Sequence, residues 1–145
     1  MRGLLGELLS SQTDVTIVDM EAGLEHLSRS GGTLRYVDQL LVVTEPYARA
    51  METARRTIRL ATDLGIGSIA LVANKVRDQS DLQLLDAVRE QTGAPLLAVI
   101  PHDEVARIAD RKGRPPIEVA PESPLVRAIE RLANALEAEW SATAA

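Results

Sequence analysis

Asp19 directly follows the apolar run Val15-Thr16-Ile17-Val18, and Gly23 stands four residues beyond it. A carboxylate at the end of a strand can hold Mg²⁺ through one of the ion's own waters, because Mg²⁺ sheds its hydration reluctantly. A glycine just past it lets a bare backbone N–H come close to a terminal phosphate. A helix N-cap acid followed by a flexible turn would leave the same pattern. Asn74-Lys75 ends a later apolar run, Ile69-Ala70-Leu71-Val72 with its Ala73. The Asn74 carboxamide offers a donor and an acceptor together, which suits the edge of a purine base. A plain passage from strand to loop uses the same residue types. Pro101-His102-Asp103 follows Leu96-Leu97-Ala98-Val99-Ile100, and Pro101 fixes a turn there. His26 and His102 each lack a second ligand at metal spacing, so they read as surface or supporting groups.

The elements that must position these residues are short. The four runs beginning at Val15, Leu40, Ile69 and Leu96 are nearly continuous in apolar residues rather than alternating. That is the pattern of strands buried on both faces of a parallel sheet. Met51, Ala54, Ile58, Ala61 and Leu64 form a helical stripe closed by Gly65. Leu82, Leu85 and Val88 form another, opened by Ser80 or Asp81 and closed by Gly93. A last helix is capped by Ser123, starts at Pro124, and carries Leu125, Ile129, Leu132, Leu136 and Trp140 on one side. Strands alternating with helices give an α/β layout with helices on both faces of a mostly parallel sheet. A single domain over residues 1–145 is expected. In such a sheet, ligands bind beyond the carboxyl ends of the strands. The runs end in Asp19, in Thr44-Glu45-Pro46, in Asn74-Lys75 and in Pro101-His102. That shared edge is the candidate site.

Composition narrows the function classes. The net charge of -5 argues against a general nucleic-acid binder, which needs a basic face to displace counterions. Arg49, Arg55, Arg56 and Arg59 cluster on one helix, but Glu52 at i,i+4 to Arg56 makes this a solvated face. The absence of cysteine excludes disulfides and thiolate metal sites in these residues and suits a reducing compartment. The opening residues are too poor in apolar content for a signal peptide, and no apolar run is long enough to cross a bilayer. A cytoplasmic location with no membrane contact is expected. The last helix is amphipathic, but Glu130, Glu137 and Glu139 outweigh Arg127 and Arg131, so it reads as core packing rather than a lipid anchor. No G-x-x-x-x-G-K-[ST] loop occurs, and Gly65-Ile66-Gly67 precedes a strand instead of following one. Nothing in the sequence supplies the backbone N–H groups or lysine that grip phosphates.

The segment from Val15 through Asp19-Met20-Glu21-Ala22-Gly23-Leu24-Glu25-His26 resembles the second phosphate-sensing motif of the MinD/ParA class of P-loop ATPases. Its E-A-G-x-E-H form is closest to the ATPases that help insert nickel into carbon monoxide dehydrogenase. The later order agrees: a strand ending Val43-Thr44-Glu45-Pro46, a long helix, a strand ending Asn74-Lys75, then Ile100-Pro101-His102-Asp103 and Asp110 to Pro115. The resemblance spans nearly the whole chain. It implies a Rossmann-like three-layer αβα fold, that of a P-loop NTPase truncated at its N-terminal side. It also implies Asp19 at the Mg²⁺ and catalytic-water position, Gly23 at the terminal phosphate, and Asn74 with Lys75 at the adenine. Pro101 and His102 would line the base pocket. Mg²⁺ and ATP belong to the complete family site, and a nucleotide-dependent dimer or association with another chain, with a client metalloenzyme, would follow.

The family's phosphate loop, first strand and first switch segment precede the matched region, and the Cys-x-Cys pair of the nickel branch does too. Nickel binding is therefore not assigned to these residues, and Met1 is expected to be an internal start, which the DNA upstream of its codon would test. The family's first strand lies between the strand of Asp19 and that of Leu40 to Val43. Those two runs are expected to be separated or to pair in a different arrangement. The leading reading is the C-terminal part of an ATP-dependent metallochaperone or partitioning-type ATPase that does not hydrolyse ATP by itself. A receiver-like domain, with Asp19 phosphorylated and Thr44 and Lys75 responding, is the second. A non-catalytic dimerisation module is the third.

Overall fold

The computed structural model describes residues 15–20 and 37–143. Three strands alternate with helices: β1 (Leu40–Thr44), α1 (Ala48–Asp63), β2 (Ile69–Val76), α2 (Gln79–Thr92) and β3 (Leu96–Pro101). They are followed by α3 (Glu104–Lys112), the short α4 (Pro116–Val119) and α5 (Pro124–Thr143). The strands form one parallel sheet in chain order, β1-β2-β3, with Leu40 opposite Ile69 and Thr44 opposite Ala73. Among the described residues no helix is long and apolar enough to cross a membrane.

Burial explains why the strand runs are apolar throughout. Successive strand side chains point to opposite faces. Leu71 and Ala73 of β2 join Val42, Met51, Ala54, Ile58, Leu85 and Val88 in one buried cluster, which seats α1 and α2 on that face. Val72, between them, joins Ile100, Leu125 and Ala128 on the other face, which α5 covers. The three layers expected for the fold class are therefore present: two helices, a parallel sheet and a helix.

Local signals set the helix ends. Gly65 (φ +77°) and Gly93 (φ +72°) take the left-handed conformation just past α1 and at the end of α2, where a side chain would be strained. The N-cap of α2 is Asp78, not Ser80 or Asp81; its carboxylate accepts from the N–H groups of both. The Ser80 hydroxyl and then the Asp81 N–H hold the Asp78 carboxyl below its ordinary pKa. Ser123 caps α5 as expected, its hydroxyl accepting from Val126 N at 3.3 Å. The buried stripe of α5 differs from expectation: Ile129 is 46% exposed, and Val126 and Ala128 are buried in its place.

The run Val15-Thr16-Ile17-Val18 does not form a strand, and Ile17 is 88% exposed. β-Branched residues favour extended backbone, but a strand exists only when a neighbour takes its N–H and C=O groups. Among the described residues β1 pairs with β2 on one side and with no strand on the other. Val43, on the same face of β1 as Leu41, is left 59% exposed. Among the described residues the two runs do not pair with each other.

Candidate functional site

Toward the carboxyl ends of the strands, Glu45, Asn74, Lys75, Pro101 and His102 come to one edge of the sheet. Asn74-Lys75 does not follow β2 but sits inside it, at a β-bulge. Ala73 is opposite Val99 and Val76 is opposite Pro101, so β2 carries one residue more than β3 over that stretch. Lys75 absorbs the extra length in a left-handed backbone conformation, φ +56°. Its N–H donates to Asn74 Oδ1 at 3.0 Å, fixing the carboxamide. The ladder then resumes, with His102 N donating to Val76 O at 2.8 Å. That bond holds Pro101 and His102 beside the bulge.

The bulge also links to β1. Lys75 Nζ donates to Glu45 Oε1 at 2.6 Å, an ion pair between consecutive strand ends. Glu45 is half-buried and Lys75 is exposed. Next along the edge, Arg77 Nη1 donates to Tyr47 Oη at 3.3 Å, and this contact holds the Arg77 pKa above its ordinary value. Arg77 N also donates to Asp81 Oδ2 at 2.8 Å, tying the end of β2 to the first turn of α2. Asp103, the remaining polar residue of its motif, has a structural task. Its carboxylate accepts from Val105 N at 2.9 Å and from Leu125 N at 3.2 Å, joining the starts of α3 and α5.

Asn74, Lys75, Pro101 and His102 thus lie together, as the strand ends predicted. Gly23 and His26 lie outside the described residues. Asp19 does not reach this edge. Its neighbour Met20 packs against the buried cluster of Ala61 and Ile66, as do Leu40 and Ile69, which mark the amino-terminal ends of β1 and β2. Asp19, next to Met20, is therefore placed toward the amino-terminal ends of β1 and β2 rather than beside the bulge. The physical reason is the missing ladder: without a paired strand, nothing carries the run along β1 to the far edge. The arrangement is also not that of a receiver, since Asp19 is distant, Thr44 is buried, and Lys75 is engaged with Glu45. Glu45, Tyr47 and Arg77 were not among the expected site residues. Of the three, Glu45 carried a sequence signal, as a polar residue ending an apolar run.

Chemically, the edge suits a base better than a metal phosphate. It offers a fixed amide, a carboxylate, a proline ring and an imidazole. Among the described residues, no group of three or more His, Asp or Glu could hold a metal ion. The lysine ammonium is already paired with Glu45, so this edge by itself does not suit Mg²⁺ and phosphate.

No protein-family model matches the chain. An uncharacterized ATP-binding protein of Methanocaldococcus jannaschii is 36% identical over 134 residues, which are 92% of this chain and 50% of that protein. The carbon monoxide dehydrogenase accessory protein CooC of Rhodospirillum rubrum is 36% identical over 121 residues, 83% of this chain and 44% of CooC. The chain spans about half the length of the curated relatives it matches. Among solved structures, the cell division ATPase MinD of Pyrococcus furiosus superposes with a TM-score of 0.73 at 26% identity, covering 94% of this chain and 57% of that one. MinD of Pyrococcus horikoshii, solved with Mg-ADP, gives 0.70 at 23% identity over 91% and 53%, a likeness of fold. The chain belongs to the MinD/ParA family of ATP-binding proteins, is similar to a C-terminal part of its members, and has their P-loop NTPase fold.

Proposed function

We propose that this chain carries the base-recognising and partner-facing part of a cytoplasmic, ATP-dependent switch protein that serves maturation of a metal-cluster enzyme. The observation that carries this reading is the grouping of Asn74, Lys75, Pro101 and His102 at the carboxyl edge of the sheet. Such an edge is where open α/β sheets take their ligands. Relatives described as ATP-binding, and one described as a carbon monoxide dehydrogenase accessory protein, support the choice of ligand and client. In this reading the Asn74 amide meets the adenine edge, and Pro101 and His102 wall the base. In the family's site, Asp19 and Gly23 would serve Mg²⁺ and the terminal phosphate, together with phosphate-gripping groups that precede the matched region. Among the described residues no strand pairs with the second side of β1, so that edge could receive another chain or a second copy.

Binding without grip on the phosphates has a measurable signature. Calorimetry on this chain should give Mg-ATP and adenosine affinities within about threefold of each other, both weaker than about 100 μM, since each bond to the phosphates that is not made forgoes a charge-assisted contribution. Micromolar affinity for Mg-ATP would overturn the split of the site. The client is tested in the host cell. Deleting the reading frame should lower nickel-dependent carbon monoxide dehydrogenase activity, and excess nickel in the medium should restore it. Unchanged activity in the deletion strain would remove the metalloenzyme from the proposal.

A further inference from the structure

We propose that Glu45 is a specificity-determining residue that accepts the exocyclic amine of the bound base, with Lys75 as its positioning residue. This rests on the adenine reading of the edge, and goes beyond it by assigning a second contact and the geometry that selects for it.

The bulge fixes what Asn74 can offer. An N–H can donate only to the oxygen of the carboxamide, so the bond from Lys75 N assigns Oδ1 to the backbone side and leaves Nδ2 facing away from it. Asn74 is then a donor toward a ligand, and the ligand atom opposite it must be an acceptor. The register supplies the second group. Thr44 lies opposite Ala73, the last couple before the bulge, so the next residue on each chain is Glu45 beside Asn74. Neighbouring strands are about 4.8 Å apart, and residues at one level of a parallel pair project to the same face. Lys75 Nζ occupies Glu45 Oε1 and leaves Oε2 with its lone pairs. The edge therefore presents one donor and one acceptor from side chains on adjacent strands at the same level. Adenine presents an acceptor at N7 next to a donor at N6, while guanine presents two acceptors, N7 and O6, on that same edge.

One residue sets both halves. The left-handed backbone of Lys75 turns its N–H onto Asn74, and its side chain reaches β1 to hold the Glu45 carboxylate. A lysine that merely neutralised a surface acid would leave ligand choice untouched. Here its removal lets the carboxylate rotate away from the base.

The test uses nucleosides, which need only the base site. ¹H–¹⁵N spectra of this chain are recorded with adenosine, with purine riboside (the same ring lacking the exocyclic amine) and with guanosine, following the Asn74 side-chain amide and the His102 backbone amide. Wild type should bind adenosine about tenfold more tightly than purine riboside, the factor carried by one hydrogen bond to a charged acceptor. In Glu45→Ala that ratio should fall to near one; in Lys75→Met it should fall part of the way, and Lys75→Arg should restore it. If adenosine shifts the edge resonances but the ratio survives in Glu45→Ala, the role of Glu45 is refuted and the base site stands. If guanosine binds more tightly than adenosine, or no nucleoside perturbs these amides, the adenine reading fails and this inference fails with it.

Discussion

Replacing Leu71 with alanine should lower the unfolding free energy by about 3–4 kcal/mol, read as a fall in urea midpoint at unchanged slope. Leu71 is fully buried at the centre of the middle strand. It packs in the cluster that joins α1, α2 and the sheet, with Met51 and Ile58 on one helix and Leu85 and Val88 on the other. Truncation removes the transfer free energy of three carbons and leaves a cavity between rigid neighbours that close it only in part. Domains of this size are stable by roughly 5–15 kcal/mol, so the variant would lose a large share of its margin. Leu84→Ala, one residue before Leu85 but 48% exposed, should change stability by less than about 0.5 kcal/mol. Equal losses at the two sites would mean that the two-faced burial of the sheet is wrong.

The second large effect belongs to the bulge. Lys75→Val should be less stable than Lys75→Gly by about 1–2 kcal/mol. Both variants lose the same ammonium and the same bond to Glu45, so their difference reads the backbone alone. At φ +56° glycine is unstrained, whereas a β-branched residue crowds its own carbonyl. On an extended, regular strand the order would reverse, because valine favours strands and glycine weakens them. Thermal or urea unfolding of the pair decides between bulge and plain strand by the sign of the difference. The ion pair itself is partly exposed and contributes at most about 1 kcal/mol to stability.

Much of this molecule was legible in its sequence because burial on both sheet faces leaves a strong mark. The runs at Leu40, Ile69 and Leu96 are apolar at every position, and each became a strand. The ends of those runs pointed to Asn74, Lys75, Pro101 and His102, which the structure brings to one edge of the sheet. What could not be read depends on neighbours distant in the chain. Val15 to Val18 have strand propensity as strong as the others, yet a strand needs a partner's free edge, which propensity does not supply. The bulge was hidden because it exists only relative to β3. Ordinary residues stand at Asn74-Lys75, with no glycine to announce a positive φ. Glu45 became visible as a site residue only through its bond to Lys75, 30 positions away. The Asp78 cap was missed because Ser80 and Asp81, two good capping types, follow it closely, and only the hydrogen bonds show which residue accepts.

The order β1-β2-β3 has a consequence for biosynthesis. Among the described residues, β2 and β3 each pair with the strand made just before, separated from it only by the helix that crosses between them. For a chain leaving the ribosome at about 5–20 residues per second, none of these three strands must wait for a later neighbour. β2 can dock on β1 as soon as α1 has cleared the exit tunnel, and β3 can extend the ladder from there. The sheet is thus laid down in the direction of translation, and its loop-closure entropy is met in short instalments rather than in one long search.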